Sequence, residues 1–444
     1  MKPSATSPVL LALAALLMSA CAAPTPPSAS ASAVPPAAST ASAALHPAVK
    51  ELAEAQRPVY LDTLRDLVNV ESGSRDLEGL GKLAALIQTR LTALGMSTQL
   101  IDPSQEMIPL NDAPAKVGPM VHGELTGTGH ARILLIAHMD TVYLKGMLKD
   151  QPFRVDGNRA YGLGVADDKQ GVALVIHTVA MLQKLGVKDY GKLSVLINGD
   201  EEISSPGSRR AIVRMAAEHD AVLSYEGGGP NGEVRLATSG IGSAYLTVKG
   251  RASHAGAAPE RGVNALTELS HQILQLSNLS KPEQGLKLNW TVAKAGTNRN
   301  VIPAEASAQA DARALRVADF DGLQAELNQR VKNQLVKDAK VELKFEVRRP
   351  PLEARPASLA LANNARGIYQ ELGMAMPILD TATGGGTDAA FAFAGTKGAV
   401  IEGMGLSGFG SHSNDAEYVL IDTIVPRLYL STRLIMETAR GTGK

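Results

Sequence analysis

The stretch Ile133-Leu134-Leu135-Ile136-Ala137-His138-Met139-Asp140-Thr141-Val142 sets five consecutive apolar residues directly against a His-x-Asp pair. An apolar run of that length, without polar alternation, reads as a strand covered on both faces, the kind found in sheets flanked by helices. Lys192–Ile197 (KLSVLI), Ala221–Tyr225 (AVLSY) and Gly398–Ile401 (GAVI) have the same character. Gly171–Leu185 carries apolar residues at helical spacing, and Asp422–Thr438 reads as a closing helix. Strands alternating with helices predict an α/β fold, a sheet with helices on both faces.

Outward from that core the texture changes twice. Ser243–Lys249 (SAYLTVK) alternates with period two, Val263–Leu276 reads as a helix, Leu288–Ala295 and Ala306–Leu315 as strands, Phe320–Val336 as a helix and Val341–Val347 as a strand. That β-α-β-β-α-β order is the ferredoxin-like pattern. Residues 239–349 are therefore expected to form an inserted lid domain, carried on a larger domain made of residues 46–238 and 350–444. At the N-terminus, residues 1–20 contain Lys2 and the apolar run Val9–Met18, which has the length of a secretory-signal core and is too short to span a bilayer. It ends at Leu17-Met18-Ser19-Ala20-Cys21, which resembles a bacterial lipobox, and residues 21–45 are an Ala/Pro/Ser-rich tether. The expectation is an exported protein, periplasmic or held at the outer membrane through a lipid on Cys21, with membrane contact only through that anchor.

The chain has 444 residues, with 44 Lys+Arg against 44 Asp+Glu, so no net field draws it to nucleic acid or an acidic surface. Its single Cys excludes intrachain disulfides and Cys-ligated structural zinc, leaving His, Asp and Glu to hold any metal. Those residues cluster after the apolar runs. In extended backbone His138 and Asp140 point the same way, so the carboxylate could orient an imidazole that binds metal through its other nitrogen. Asp167-Asp168-Lys169 precedes the 171–185 helix, where the two acids suit either a helix N-terminus or a cation. Asp200-Glu201-Glu202 and Glu226 follow two further apolar runs, and ligands in open α/β sheets bind at such strand ends. Gly384-Gly385-Gly386-Thr387-Asp388 could wrap a carboxylate with backbone N–H groups, and Ser411-His412-Ser413 follows a Gly-rich stretch.

His138-Met139-Asp140-Thr141-Val142, Asp167-Asp168-Lys169, Asp200-Glu201-Glu202, Glu226, Ser253-His254-Ala255-Gly256, Gly385-Gly386-Thr387-Asp388 and Ser411-His412-Ser413 occur in an order that resembles the co-catalytic di-zinc exopeptidase and aminoacylase family, most of all its carboxypeptidase G-type glutamate carboxypeptidases. The likeness covers roughly residues 50–440. It implies a mixed-sheet catalytic domain with a ferredoxin-like lid that also makes a homodimer interface. It implies two Zn2+ per chain, replaceable by Co2+ or Mn2+: one held by His138, Asp167 and Glu226, the other by the same Asp167 with Glu202 and His412. Glu201 would be the general base, Asp140 would orient His138, and His254 would reach a partner's active site to stabilise an oxyanion. Asn300, Arg313, Arg349, Gly385, Gly386 and Thr387 would contact substrate. The implied reaction releases a C-terminal amino acid, glutamate foremost, from small peptidyl or N-acyl, folate-like conjugates. An N-acyl-amino-acid deacylase or dipeptidase with the same metals is the alternative, and a non-catalytic lipid-tethered binding protein is a third. Two positions depart from the pattern: Ala137 precedes the first His, and Glu233 stands where glutamate-specific relatives carry a basic residue, with Arg235 two positions on. The other histidines, at 46, 122, 130, 177, 219 and 271, are expected to be structural or exposed.

Overall fold

The computed structural model describes residues 45–413 and 416–441. The expected export segment, Cys21 and nearly all of the tether lie outside the described residues. A six-stranded sheet runs in the order Ser97–Ile101, Met120–Thr126, Lys192–Asn198, Arg132–His138, Ala221–Ser224, Ala399–Ile401. The first three pair antiparallel and the last four parallel, so the sheet is mixed. The strand pleat explains why the apolar runs are unbroken. Ile133, Leu135 and Ala137 pack into one core with the helices Pro47–Val68, Leu77–Ala93, Gln170–Lys184, Pro356–Glu371 and Ile424–Arg440. Leu134 and Ile136 face the opposite core with Arg209–Ala217 and Ala389–Gly395. Each such buried aliphatic side chain contributes about 1.5–3 kcal/mol, and a one-residue slip would exchange the two sets. Because these last four strands are parallel, their carboxyl ends share one edge, from which residues 138–140, 200–202, 226 and 402 emerge.

The 240–349 segment builds a second sheet, ordered Lys287–Ala295, Glu305–Ala314, Gly240–Lys249, Lys340–Arg349 and antiparallel throughout. With helices Ala265–Ser277 and Val317–Arg330 it encloses its own apolar clusters, in the expected β-α-β-β-α-β order. The second helix stops six residues short of the expected Val336. Glu268 accepts the N–H groups of Leu335 and Val336 (2.9 and 2.6 Å), and Gln272 and His271 donate to the Asn333 carbonyl (3.1 and 3.0 Å). The neighbouring helix thus captures the chain that would have continued the turn. The two connections to the main sheet are themselves paired, Thr238 N–H to the Leu352 carbonyl (3.1 Å) and the reverse (3.2 Å). Among the described residues, no helix is long and apolar enough to cross a membrane.

The histidines expected to be structural include His177, buried beside the Tyr60 ring, with Nδ1 2.6 Å from Gln56 Oε1 and Nε2 2.9 Å from the Thr63 hydroxyl. Burial, aided by the Arg90 charge, pushes its imidazole down to about 4 from 6.5. The unfolded chain therefore binds a proton that the folded one refuses between those values. Stability conferred by neutral His177 is complete above pH 6.5 and is lost as pH falls towards 4, about 3 kcal/mol in all. Urea unfolding of wild type and His177→Gln across pH 4–7 is expected to show a difference that varies by about that amount; a difference flat with pH would remove the assignment.

Candidate metal centre

The site begins with His138, 2% exposed at the end of its strand. Its Nε2 lies 3.0 Å from Asp167 Oδ1 and 3.3 Å from Glu226 Oε1, and its Nδ1 lies 3.3 Å from Asp140 Oδ1. Asp140 is fully buried and does more than orient that ring. It also accepts the backbone N–H groups of Glu201 (3.0 Å) and Glu202 (3.2 Å) and the Ser74 hydroxyl (2.8 Å). One carboxylate therefore ties the exit of the 132–138 strand to the exit of the 192–198 strand.

Asp167 stands between two imidazoles, Oδ1 towards His138 and Oδ2 towards His412 Nε2 (3.3 Å), which is 3.2 Å from Glu202 Oε2. Two triads with mutually close ligand atoms result: His138, Asp168 and Glu226, and Asp167, Glu202 and His412, each within 4.8 Å. The structure thus brings together all five expected metal ligands, with Asp167 in the shared place. Asp168 is an addition, fully buried, with Gln170 Nε2 donating to it at 2.6 Å. A small sheet lies beside His412: the strand Tyr418–Leu420 pairs with Arg159–Tyr161, and Glu417 reaches the 164–167 segment.

Four carboxylates converge here with two histidines, and Glu202 Oε1 is buried with no partner among the described residues. Burial pushes the Glu202 carboxyl up to about 7, and hydrogen bonds to Asp167 and Glu202 push the His412 imidazole up to about 11. Burial would also raise Asp167, but His138 and His412 hold it below the usual carboxylate range. Protons here stand in for positive charge that the donor set lacks, and cations bound by deprotonated ligands would displace them. Carboxylate and imidazole donors fit zinc and related divalent ions.

Glu201 belongs to neither triad. It is 7% exposed, its carboxylate is gripped by Arg349 Nη1, and Arg349 Nη2 donates to its carbonyl (2.9 Å). Burial outweighs the Arg349 charge and raises its carboxyl well above the ordinary range. Arg349, expected only as a substrate contact, is thus committed to Glu201 and, at 3.4 Å, to Asp388. The strand ladder places Arg313 and Arg349 on either side of Ile241, at one level of the lid sheet. Arg313 forks onto Asp311 (2.9 Å twice) and donates to the Gly384 carbonyl (3.1 Å), while Arg349 donates to the Gly386 carbonyl (2.7 Å). The 384–387 loop therefore shows these arginines its carbonyls where N–H groups were expected. The Gly385 carbonyl accepts from Ser239 N–H (2.8 Å), and the Thr387 hydroxyl donates to Glu402 (2.9 Å). Only glycine fits at 386, where a Cβ would meet the Ser239 oxygen at 2.7 Å and Ile241 at 2.9 Å.

His254 and Asn300 sit elsewhere. Both are exposed, joined through Ala255 N–H and the Asn300 carbonyl (2.9 Å), at the lid end remote from Arg349. His254 Nδ1 accepts from Gly256 and Ala257 N–H (3.1 and 3.0 Å), leaving Nε2 as the donor of the neutral ring. Among the described residues, His254 makes no hydrogen bond to either triad. Arg235 does share a side with Glu233 (3.3 Å) and also donates to the Gly227 carbonyl (2.9 Å). Sequence reasoning passed over Glu402, which is fully buried and pushed up to about 8 by burial and the Glu226 charge. Its signal was an acid placed directly after the apolar GAVI run.

Residues 134–437 match the sequence family described as Peptidase family M20/M25/M40. The chain is 42% identical over 392 residues to carboxypeptidase G2 of Pseudomonas sp. (strain RS-16), covering 88% of this chain and 92% of that protein. Among solved structures it resembles aminopeptidase PepT of Bacillus cereus (TM-score 0.71, 19% identity, 86% of this chain, 99% of that one). It also resembles the YXEP protein of Bacillus subtilis, titled a dinuclear metal-binding M20 peptidase (TM-score 0.61, 17% identity, 86% and 98%).

Proposed function

Because the chain belongs to peptidase family M20/M25/M40 and is a metallo-carboxypeptidase hydrolase, we propose that it releases a C-terminal amino acid, glutamate foremost, from peptidyl or N-acyl conjugates of the folate type, with two zinc ions per chain. The observation that carries this reading is Asp167, one oxygen towards each imidazole, beside a buried carboxylic acid outside both triads. His138, Asp167 and Glu226, with Asp168 close by, would hold one ion; Asp167, Glu202 and His412 would hold the other. Bound there, two cations supply Lewis-acid polarisation of the scissile carbonyl and acidify water. Glu201, buried beside the triads and belonging to neither, would take a proton from the attacking water and return it to the leaving amine, a role suited to a carboxyl raised by burial. Arg313 offers a planar fork to a terminal carboxylate, which would exchange with Asp311 for it, while Arg349 stays on Glu201.

The reading includes a homodimer. His254 lies beyond Lys249, itself eight residues along the strand from the arginine level at Ile241, about 26 Å at 3.3 Å per residue. A donor so far from the chain's own Glu201 supports the reading that it serves a second copy. It also includes export through the Val9–Met18 run and lipidation at Cys21, which rest on those residues alone.

The test is amino-acid release from N-acyl and peptidyl substrates ending in Glu, Asp, Ala, Leu or Arg, with and without a chelator. Chelator-sensitive release favouring Glu is expected. Metal-dependent release without that preference would move the protein to another amide, a direction consistent with Glu233 and with Arg235 being already paired.

A further inference from the structure

Glu417 lies five positions past His412 and is 3% exposed. Its Oε2 accepts the N–H of Gly164 (3.0 Å) and the Tyr143 hydroxyl, and its Oε1 accepts the N–H groups of Ala166 (2.8 Å) and Asp167 (3.1 Å). The Tyr143 hydroxyl is also 2.8 Å from the Ser413 carbonyl, one proton serving two acceptors. Three parts of the chain therefore meet at one carboxylate: residues 138–143, residues 164–167, and His412–Ser413 with Glu417 itself. Each carries a metal ligand of the reading above, namely His138, Asp167 and His412. The convergence of N–H groups has a local cause. Gly164 is left-handed (φ 69°), and a Cβ there would lie 2.3 Å from Thr141 Cγ2, so the turn closes tightly around the carboxylate. Only an ionised carboxyl has acceptors enough for these donors, because an amide would aim its NH2 at one of them.

The two triads depend on this junction unequally. Among the described residues no hydrogen bond joins His138, Asp168 or Glu226 to the Glu417 carboxylate, and His138 and Asp168 are held by Asp140 and Gln170 instead. Asp167 hangs from it through its own N–H. His412 has a side chain 56% exposed and a φ of 64°, uncommon for a residue with a Cβ, and its loop returns to the protein through Ser413 and Glu417.

We propose that Glu417, with Tyr143, is a positioning residue that sets the Asp167–Glu202–His412 triad and so governs occupancy of the second metal position. The inference rests on the two-metal reading. The experiment is equilibrium titration of the metal-free full chain with Co2+, following visible absorption and a chromophoric competitor, for wild type, Glu417→Gln and Tyr143→Phe. Wild type takes up two ions. Glu417→Gln weakens both positions, since Asp167 serves each, but unequally: the first, which keeps His138, Glu226 and the neighbouring Asp168, loses only a few-fold, and the second about 10–100-fold, the usual cost of losing a group that orients ligands. Tyr143→Phe falls between, with an altered absorption band from the second ion. Two undisturbed ions in Glu417→Gln overturn the proposal, and so do equal losses at both positions, the mark of a general brace. If Glu417→Gln does not fold, Tyr143→Phe decides by the same criteria. Wild type binding a single ion would overturn the two-metal reading instead, which the variants alone cannot do.

Discussion

Glu201→Gln is expected to bind two metal ions and to turn over about 10²–10⁴-fold more slowly than wild type, the range attributable to a positioned general acid–base group. The separation of effects follows from geometry. Glu201 belongs to neither triad, while its backbone N–H, which the substitution leaves alone, holds the segment to Asp140 at 3.0 Å. Glutamine keeps the shape and one acceptor for Arg349 but cannot exchange a proton. Metal content by elemental analysis and kcat on the best substrate measure both halves. Turnover within about threefold of wild type would transfer the proton to another group; loss of an ion would make Glu201 a ligand.

The second large effect concerns stability. Arg349→Met should lower the unfolding free energy by about 3–5 kcal/mol at pH 8, because breaking a buried pair from one side leaves uncompensated charge. The Arg349 side chain is 3% exposed and meets Glu201, Asp388 and the Gly386 carbonyl, all of which lose their cation together. The pH dependence has a definite sign. Without Arg349 the Glu201 carboxyl rises further, so the folded variant binds a proton more readily than the unfolded chain, and its deficit against wild type grows as pH increases. The double variant Glu201→Gln, Arg349→Met should lose less than the sum of the singles, since the amide needs no counter-ion. Urea unfolding of the four proteins at pH 6 and 8 measures this, and a loss below about 1 kcal/mol for Arg349→Met would mean that water already screens the pair.

What the sequence made legible, and what it hid, divides along physical lines. The four parallel strands were legible because burial on both faces removes alternation from KLSVLI and ILLIA. The acidic and histidine clusters were visible after such runs, but each alone also suited a loop or a helix N-terminus, and their assignment as metal ligands came from the resemblance of their order to a known family. The lid was legible as alternation along SAYLTVK and its neighbours. Hidden were contacts made by topology: Arg349 reaches Glu201 across 148 positions, and Glu417 reaches Ala166 across 251. No local pattern encodes either. The end of the Val317–Arg330 helix was hidden for the same reason, since side chains of another helix decide it. The glycine loop at 384–387 was legible as a turn, but which of its dipoles face inward depends on where two arginines arrive from a different sheet.

The paired connections at Thr238 and Leu352 make the join between the two sheets a narrow ribbon with a hydrogen bond in each direction. A two-strand ribbon of this kind would resist sliding of one strand past the other more than bending across its flat face, like a leaf spring with a single soft direction. Arg349, three positions from Leu352, lies on the short arm and would barely shift from Glu201 in such a bend. His254 and Asn300 ride the long arm. At a radius of about 30 Å, a ten-residue strand's length, a tilt of about 10° carries them roughly 5 Å. A bend that left the cationic grip on Glu201 nearly undisturbed would thus sweep the remote histidine through about the width of a side chain.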